Sequence, residues 1–193
     1  MSEKEDFWSV VKSLAFFIAL ALFFRASALA AYKIPSGSME DTLKIGDHIF
    51  VNKLRYGFRL PLMEKTLFDY SMPSRGDIVV FTLPEDPSTD IIKRVIGLPN
   101  DQIEVKGTAV YINGEKYLED ERYAVWREGG IKDFGPIIVP KDTVLLLGDN
   151  RDKSRDARFW SYPFLSRDRI VGNAFIIWWN WSKPLDRIFR IIR

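Results

Sequence analysis

The sequence predicts a mainly β protein: a domain of short strands forming a partly open, β-barrel-like shape, preceded by one N-terminal transmembrane helix. Three observations predict it. Leu14 to Phe24 is an unbroken apolar run. After Tyr32 the chain breaks into short β-type runs separated by turn residues, with no internal repeat. Two of those runs flank Asn113-Gly114, a strong hairpin signal.

Taken in order, the apolar segment comes first. With Arg25 and Ser27 tolerated, its apolar character continues to Ala31. As a helix, Leu14 to Ala31 spans roughly 27 Å, close to the thickness of a hydrocarbon core. Arg25, near one end, can snorkel to the interface. A charged start, an apolar centre and Ala28-Leu29-Ala30 also fit a cleavable secretory signal. A buried core helix is the third reading. Lys4 and Lys12 precede the run while Arg25 and Lys33 lie in or after it, so charge does not set its orientation. The division expected is residues 1–31 as stub and anchor, and 32–193 as the β domain.

Strands are expected at 47–51, 77–81, 91–96, 102–105, 108–112, 115–118, 144–147 and 170–181. Pro73, Pro84, Pro87, Pro99, Pro136 and Pro140 punctuate them. The 193 residues suit one domain with an appendage, and 47% hydrophobic residues suffice for a packed core. A net charge of +2 calls for no nucleic-acid partner. The absence of cysteine removes disulfides, thiolate nucleophiles and cysteine-rich zinc sites. His48 is the one histidine, so any histidine-based serine hydrolase would have to use it. It sits in a strand-like run with no carboxylate run placed to orient it.

Three runs carry chemistry. Pro35-Ser36-Gly37-Ser38-Met39 makes a stiff, sharply turned loop, able to present a serine while backbone N–H groups converge on one point. Alone, it reads first as a serine-rich turn after a membrane helix. In Ile91 to Ile96, Lys93 shares a strand face with Ile91 and Val95. An inward lysine loses hydration, which lowers its pKa and suits it as a base. A snorkelling edge lysine is the plainer reading. Gly148 to Arg158 is polar and dense in both charges. It fails as a calcium loop, with Ala157 where glycine is needed and no closing glutamate. A solvated charged loop is its default.

Together the runs resemble bacterial type I signal peptidases, the serine-lysine dyad proteases that remove signal peptides. The resemblance rests on Pro-Ser-Gly-Ser-Met-Glu-Asp-Thr-Leu (35–43), Gly-Asp-His-Ile-Phe-Val-Asn-Lys (46–53) and Arg-Gly-Asp-Ile-Val-Val-Phe (75–81). Lys-Arg-Val-Ile-Gly-Leu-Pro (93–99) and Gly-Asp-Asn-Arg-Asp-x-Ser-x-Asp-x-Arg (148–158) complete it. The resemblance implies Ser38 as nucleophile and Lys93 as base. It implies an oxyanion hole from the Ser36 hydroxyl and the Ser38 N–H. It gives Ser154 a hydrogen bond to the lysine, and makes Asp156 and Arg158 a supporting ion pair. Ile34, Met39, Leu43, Val80 and Ile92 are expected to line shallow pockets for small side chains at positions −1 and −3 of the substrate.

By the same resemblance the anchor is retained in the bacterial cytoplasmic membrane as a single pass. The catalytic domain lies on the outer, periplasmic face. Partners are the signal peptides of secretory preproteins and the lipid bilayer; no metal, cofactor or nucleic acid is expected, and the chain is expected to be monomeric. Two positions depart from the family pattern: Asp41 stands where proline is usual, and Asn100 where glycine is usual, although asparagine tolerates positive φ. The insert at about 107–135 should be only a hairpin and loop. Trp178, Trp179 and Trp181, with Arg187, Arg190 and Arg193 among Ile188, Phe189, Ile191 and Ile192, suggest an end that rests on lipid, or else a core strand with a basic tail. Other serine-lysine peptidases and a β domain that only binds partners are the rival functions.

Overall fold

The computed structural model describes residues 3–59, 66–127, 133–182 and 184–192. It begins with α1 (Glu3–Ala28), β1 (Leu29–Lys33), β2 (Asp47–Asn52), β3 (Gly57–Arg59), β4 (Thr66–Asp69) and β5 (Ile78–Leu83). Next come β6 (Asp86–Gly97), β7 (Gln102–Lys106), β8 (Ala109–Ile112), β9 (Glu115–Lys116) and a 3₁₀ turn at Leu118–Arg122. Then follow β10 (Phe134–Ile138), β11 (Thr143–Leu147), β12 (Phe164–Ser166), a 3₁₀ turn at Arg167–Arg169, β13 (Ile170–Asn180), α2 (Pro184–Arg187) and β14 (Arg190–Ile191).

α1 is apolar all round from Leu14 to Phe24, and its described side chains from Phe7 to Phe23 are exposed. It stops at Ala28, short of the expected Ala31. The reason is pairing: Leu29 to Lys33 hydrogen-bond as a strand against Asn52 to His48. Lys53 N–H then donates to the Ala28 carbonyl at 2.9 Å, one of the carbonyls the helix end leaves open. Among the described residues no helix is long and apolar enough to cross a membrane.

The principal sheet runs β1-β2-β13-β5-β6-β11-β12, with β14 added to β13. Every strand pairing in it is antiparallel. Among the described residues β1 and β12 do not pair, so the sheet is an open path and not a closed barrel. A second sheet, β10-β7-β8-β9, and the hairpin β3-β4 complete the β structure. At the β8–β9 turn Asn113 and Gly114 both have positive φ, 54° and 85°, the combination a type I′ hairpin turn requires. Asn100, replacing the usual glycine, has φ 70°.

β6 organises the core. Ile92 belongs to one apolar cluster with Ile34, Met39, Leu43, Ile49 and Val80. Val95 joins a second with Val79, Phe81 and Leu146, and Ile96 a third with Ile103, Val110 and Leu145. Both faces of the strand are therefore covered from Ile92 to Gly97. Each such side chain contributes ~1.5–3 kcal/mol when fully buried. Gly97 allows the close packing of the two sheets here, since a Cβ would lie 2.9 Å from side-chain atoms of Ile103, Leu145 and Val139.

Candidate active site

Ser38 lies in the loop between β1 and β2. Neighbouring turns shape that loop: Glu40 N–H donates to Gly37 O at 3.2 Å and Leu43 N–H to Met39 O at 2.8 Å. The apolar Met39 and Leu43 side chains are fully buried and pin it to the core. Asn150, from the loop after β11, clamps it from the other side. Its N–H donates to Ser38 O at 3.1 Å and its side-chain amide to Gly37 O at 3.0 Å.

Lys93 projects from the covered half of β6 and is 4% exposed. Its Nζ lies 2.8 Å from Ser38 Oγ and donates to the Ile92 carbonyl at 3.0 Å. Burial pushes the amine down to about 8, against the raising influence of Asp156 and Asp149. Among the described residues the Ser38 N–H meets no hydrogen-bond acceptor, and Ser36 is exposed on the rim.

A small cleft of about 80 Å³ brings Ser36, Ser38 and Lys93 together with Ile34, Val80 and Ile92. Tyr32, Ile49, Asp90 and Ile91 line it too, and none of these four was expected on the substrate pocket. Tyr32 OH donates to Asp90 Oδ2 at 2.9 Å. Met39 and Leu43, expected on the wall, instead pack in the apolar cluster shared with Ile34, Val80 and Ile92.

The charged run after β11 turns inward; it is not a solvated loop. Asp156 and Arg158 are both buried and paired, Arg158 Nε donating to Asp156 Oδ1 at 2.8 Å. Asp156 also receives the Gly148 N–H at 2.9 Å. Ser154 reaches the site but not the hydrogen bond expected of it. Its Oγ is buried without a partner, while the Lys93 amine uses Ile92 O and Ser38 Oγ. Gly148 makes room for it: a Cβ there would fall 2.1 Å from Ser154 Oγ and 2.5 Å from Ser38 O.

Two of the buried ion pairs that escaped sequence reasoning bear on the Ser38 loop and on the strand that carries Lys93. Arg94, beside Lys93, forks onto Asp149 at 2.8 and 2.7 Å, and Thr42 Oγ1 donates to the same carboxylate at 2.5 Å. Arg187 pairs with Asp47 through Nε at 2.7 Å and through Nη2, and Nη2 also donates to Thr42 O at 3.0 Å. Arg187 is thus a buried partner of the Ser38 loop and not part of a lipid-facing stripe; Arg193 lies outside the described residues. His48 is edge-on to Trp178 at 5.5 Å, and among the described residues its Nε2 is unpartnered and no carboxylate orients it.

An open antiparallel β sheet with a serine hydroxyl and a buried amine in contact at an apolar cleft has the layout of a β-class hydrolase site. Comparison with known proteins identifies which kind. A family model described as signal peptidase, peptidase S26, matches residues 7–179, and the chain belongs to that family. Signal peptidase I of Pseudomonas fluorescens is 35% identical over 207 residues, covering 87% of this chain and 70% of that protein. Probable signal peptidase I-2 of Synechocystis sp. is 36% identical over 194 residues, covering 97% and 78%. Signal peptidase I of Leptolyngbya laminosa is 36% identical over 189 residues, covering 92% and 80%. A solved signal peptidase I from Enterococcus faecalis V583 is 28% identical, covers 54% of this chain and 98% of its own, and has a TM-score of 0.43. Signal peptidases are hydrolases that remove signal peptides, and this chain is one of them by family.

Proposed function

We propose that this signal peptidase works through a Ser38–Lys93 dyad. The observation that carries the reading is the 2.8 Å contact between Ser38 Oγ and the desolvated Lys93 Nζ. Neutral Lys93 accepts the Ser38 proton as Oγ attacks the scissile carbonyl. The Ser38 N–H and the Ser36 hydroxyl hold the oxyanion. Lys93 then passes its proton to the leaving amine, and water activated by Lys93 hydrolyses the acyl-serine ester. One group acts as base and then acid, which a pKa near neutrality suits. Once charged, Lys93 has a third N–H to place. Ser154 Oγ, buried and unpartnered nearby, is the acceptor this reading gives it.

The cleft supports a preference for small residues at −1 and −3, since about 80 Å³ leaves little room between Ile34, Val80 and Ile92. A substrate in extended form sends alternate side chains to one face, which fits two pockets two residues apart. The same reading takes residues 1–31 as a stub and membrane anchor, with residues 32–193 as the catalytic domain on the outer face of the bacterial cytoplasmic membrane. It is supported by the exposed apolar side chains of α1, from Phe7 to Phe23, which water opposes. Protease protection in inverted vesicles checks the sidedness: digestion of the β domain from the cytoplasmic side contradicts it.

Cleavage of a model preprotein by purified variants tests the dyad. Ser38→Ala and Lys93→Ala are expected to be inactive. Ser36→Ala should retain activity reduced by ~10²–10³, the usual effect of losing one oxyanion donor. Turnover by Lys93→Ala at the wild-type rate rejects the dyad.

A further inference from the structure

A second cavity, about 440 Å³ in volume, lies beside the Ser38 loop and shares no lining residue with the cleft. Asp41 and Thr42 contribute from the far end of that loop, Arg122 and its neighbours from the 3₁₀ turn, Ile177 from β13, and Arg190 and Ile191 from β14. Its volume is that of a small-molecule site.

Charge gives the first half of the ligand chemistry. The two acids on the wall are already occupied: Asp41 holds Arg127 at 2.7 Å and Glu121 holds Lys116 at 2.6 Å. The two arginines are not; among the described residues neither Arg122 nor Arg190 has a carboxylate within ion-pair distance. The cavity therefore carries uncompensated positive charge from two guanidinium groups, whose planar forks match phosphate and carboxylate oxygens. Apolar surface gives the second half: Arg190 lies opposite Ile177 on β13, and Ile192, two residues on and packed on the same apolar cluster as Ile177, brings hydrocarbon to the same wall.

We propose that this cavity binds an amphiphilic anion, a phosphate or carboxylate head on a short aliphatic body, with Arg122 and Arg190 on the head and Ile177 and Ile192 against the body. Such a ligand also touches Asp41 and Thr42. Thr42 is tied to Asp149 by its hydroxyl and to Arg187 by its carbonyl, so occupancy bears on the loop that carries Ser38. That coupling rests on Ser38 being the nucleophile; the binding does not.

Calorimetric titration of the full chain with octyl phosphate, below its micellar concentration, tests the site. Saturable binding is expected, with Arg122→Gln/Arg190→Gln weakening it at least about tenfold. Inorganic phosphate and octyl glucoside, each carrying half of the chemistry, should bind at least about tenfold more weakly than octyl phosphate. Both arginines are exposed at the surface, and an unchanged Tm for the double variant shows that it is folded. Equal binding by wild type and double variant overturns the site, as does the absence of saturable binding. Equal affinity for inorganic phosphate or octyl glucoside overturns the amphiphilic ligand. Ser38→Ala should bind octyl phosphate as the wild type does. With wild-type enzyme, octyl phosphate should change kcat on a preprotein; binding without any change in kcat overturns the coupling.

Discussion

Lys93 ties both activity and stability to pH, and in the same sense: each gains as the amine loses its proton. Its amine must be neutral to accept the Ser38 proton, and its folded-state pKa is about 8. The account expects kcat/KM to rise with pH and level off above about 8, as a pH–rate profile would record. For stability, the unfolded amine titrates near 10.5 and the folded one near 8. Between these values the unfolded chain holds a proton that the folded chain has released, so this group makes stability rise with pH across that window. Below it, the folded state carries a buried ammonium that destabilises it by up to about 3 kcal/mol. Lys93→Met should therefore abolish cleavage yet raise the denaturant midpoint at pH 7. A second residue-scale test is Gly148→Ala. Its Cβ would lie 2.5 Å from both Ser154 Cβ and the Ser38 carbonyl oxygen, neither of which is a flexible side-chain end free to move away. Cleavage should fall by more than about tenfold, as displacing a reacting group by a fraction of an ångström does.

At the scale of elements, legibility followed physical range. The strands at β2, β5, β6, β11 and β13 were readable because each buries a continuous or alternating apolar set. β1 was not: Leu-Ala-Ala-Tyr continues the apolar composition of α1, and only pairing with β2 makes it a strand. β3, β4, β12 and β14 are two to four residues long, too short for any period to show. The same limit applied to the site. Ser38, Lys93 and the Asp156–Arg158 pair sit in local motifs. Asn150 on the Ser38 loop, Arg94 with Asp149 and Arg187 with Asp47 join residues 55 to 140 positions apart, or across loops, and no local pattern announces them. The C-terminal contact is the most consequential. Arg187→Ala would leave the fully buried Asp47 without its cation, which typically costs 3–5 kcal/mol. Chemical denaturation should show that loss, while Arg190→Ala, at an exposed position, should leave global stability within about 0.5 kcal/mol.

For the whole molecule, the three apolar clusters lie within the β body, and none contains a described side chain of α1. A chain lacking residues 1–28 should therefore keep its β-sheet circular dichroism and a cooperative melt. Loss of both would show that α1 belongs to the core. β1 begins at Leu29 and supplies Tyr32 to the cleft, so a deletion reaching Lys33 should impair cleavage although it removes no dyad residue. The expected partly open, barrel-like domain is met in its mainly β character, and the sheet does not close: among the described residues β12 pairs only with β11 over three residues, and no further strand carries the path back to β1. The central claim is that a desolvated Lys93 makes Ser38 nucleophilic. Mass spectrometry of the enzyme after reaction with an acylating substrate analogue tests it most directly, with the acylation rate followed against pH. The account predicts one acyl group on Ser38, a rate that climbs to a plateau above about pH 8, and no adduct in Lys93→Ala. Acylation at another residue, or an unchanged rate at Ser38 in Lys93→Ala, would contradict it.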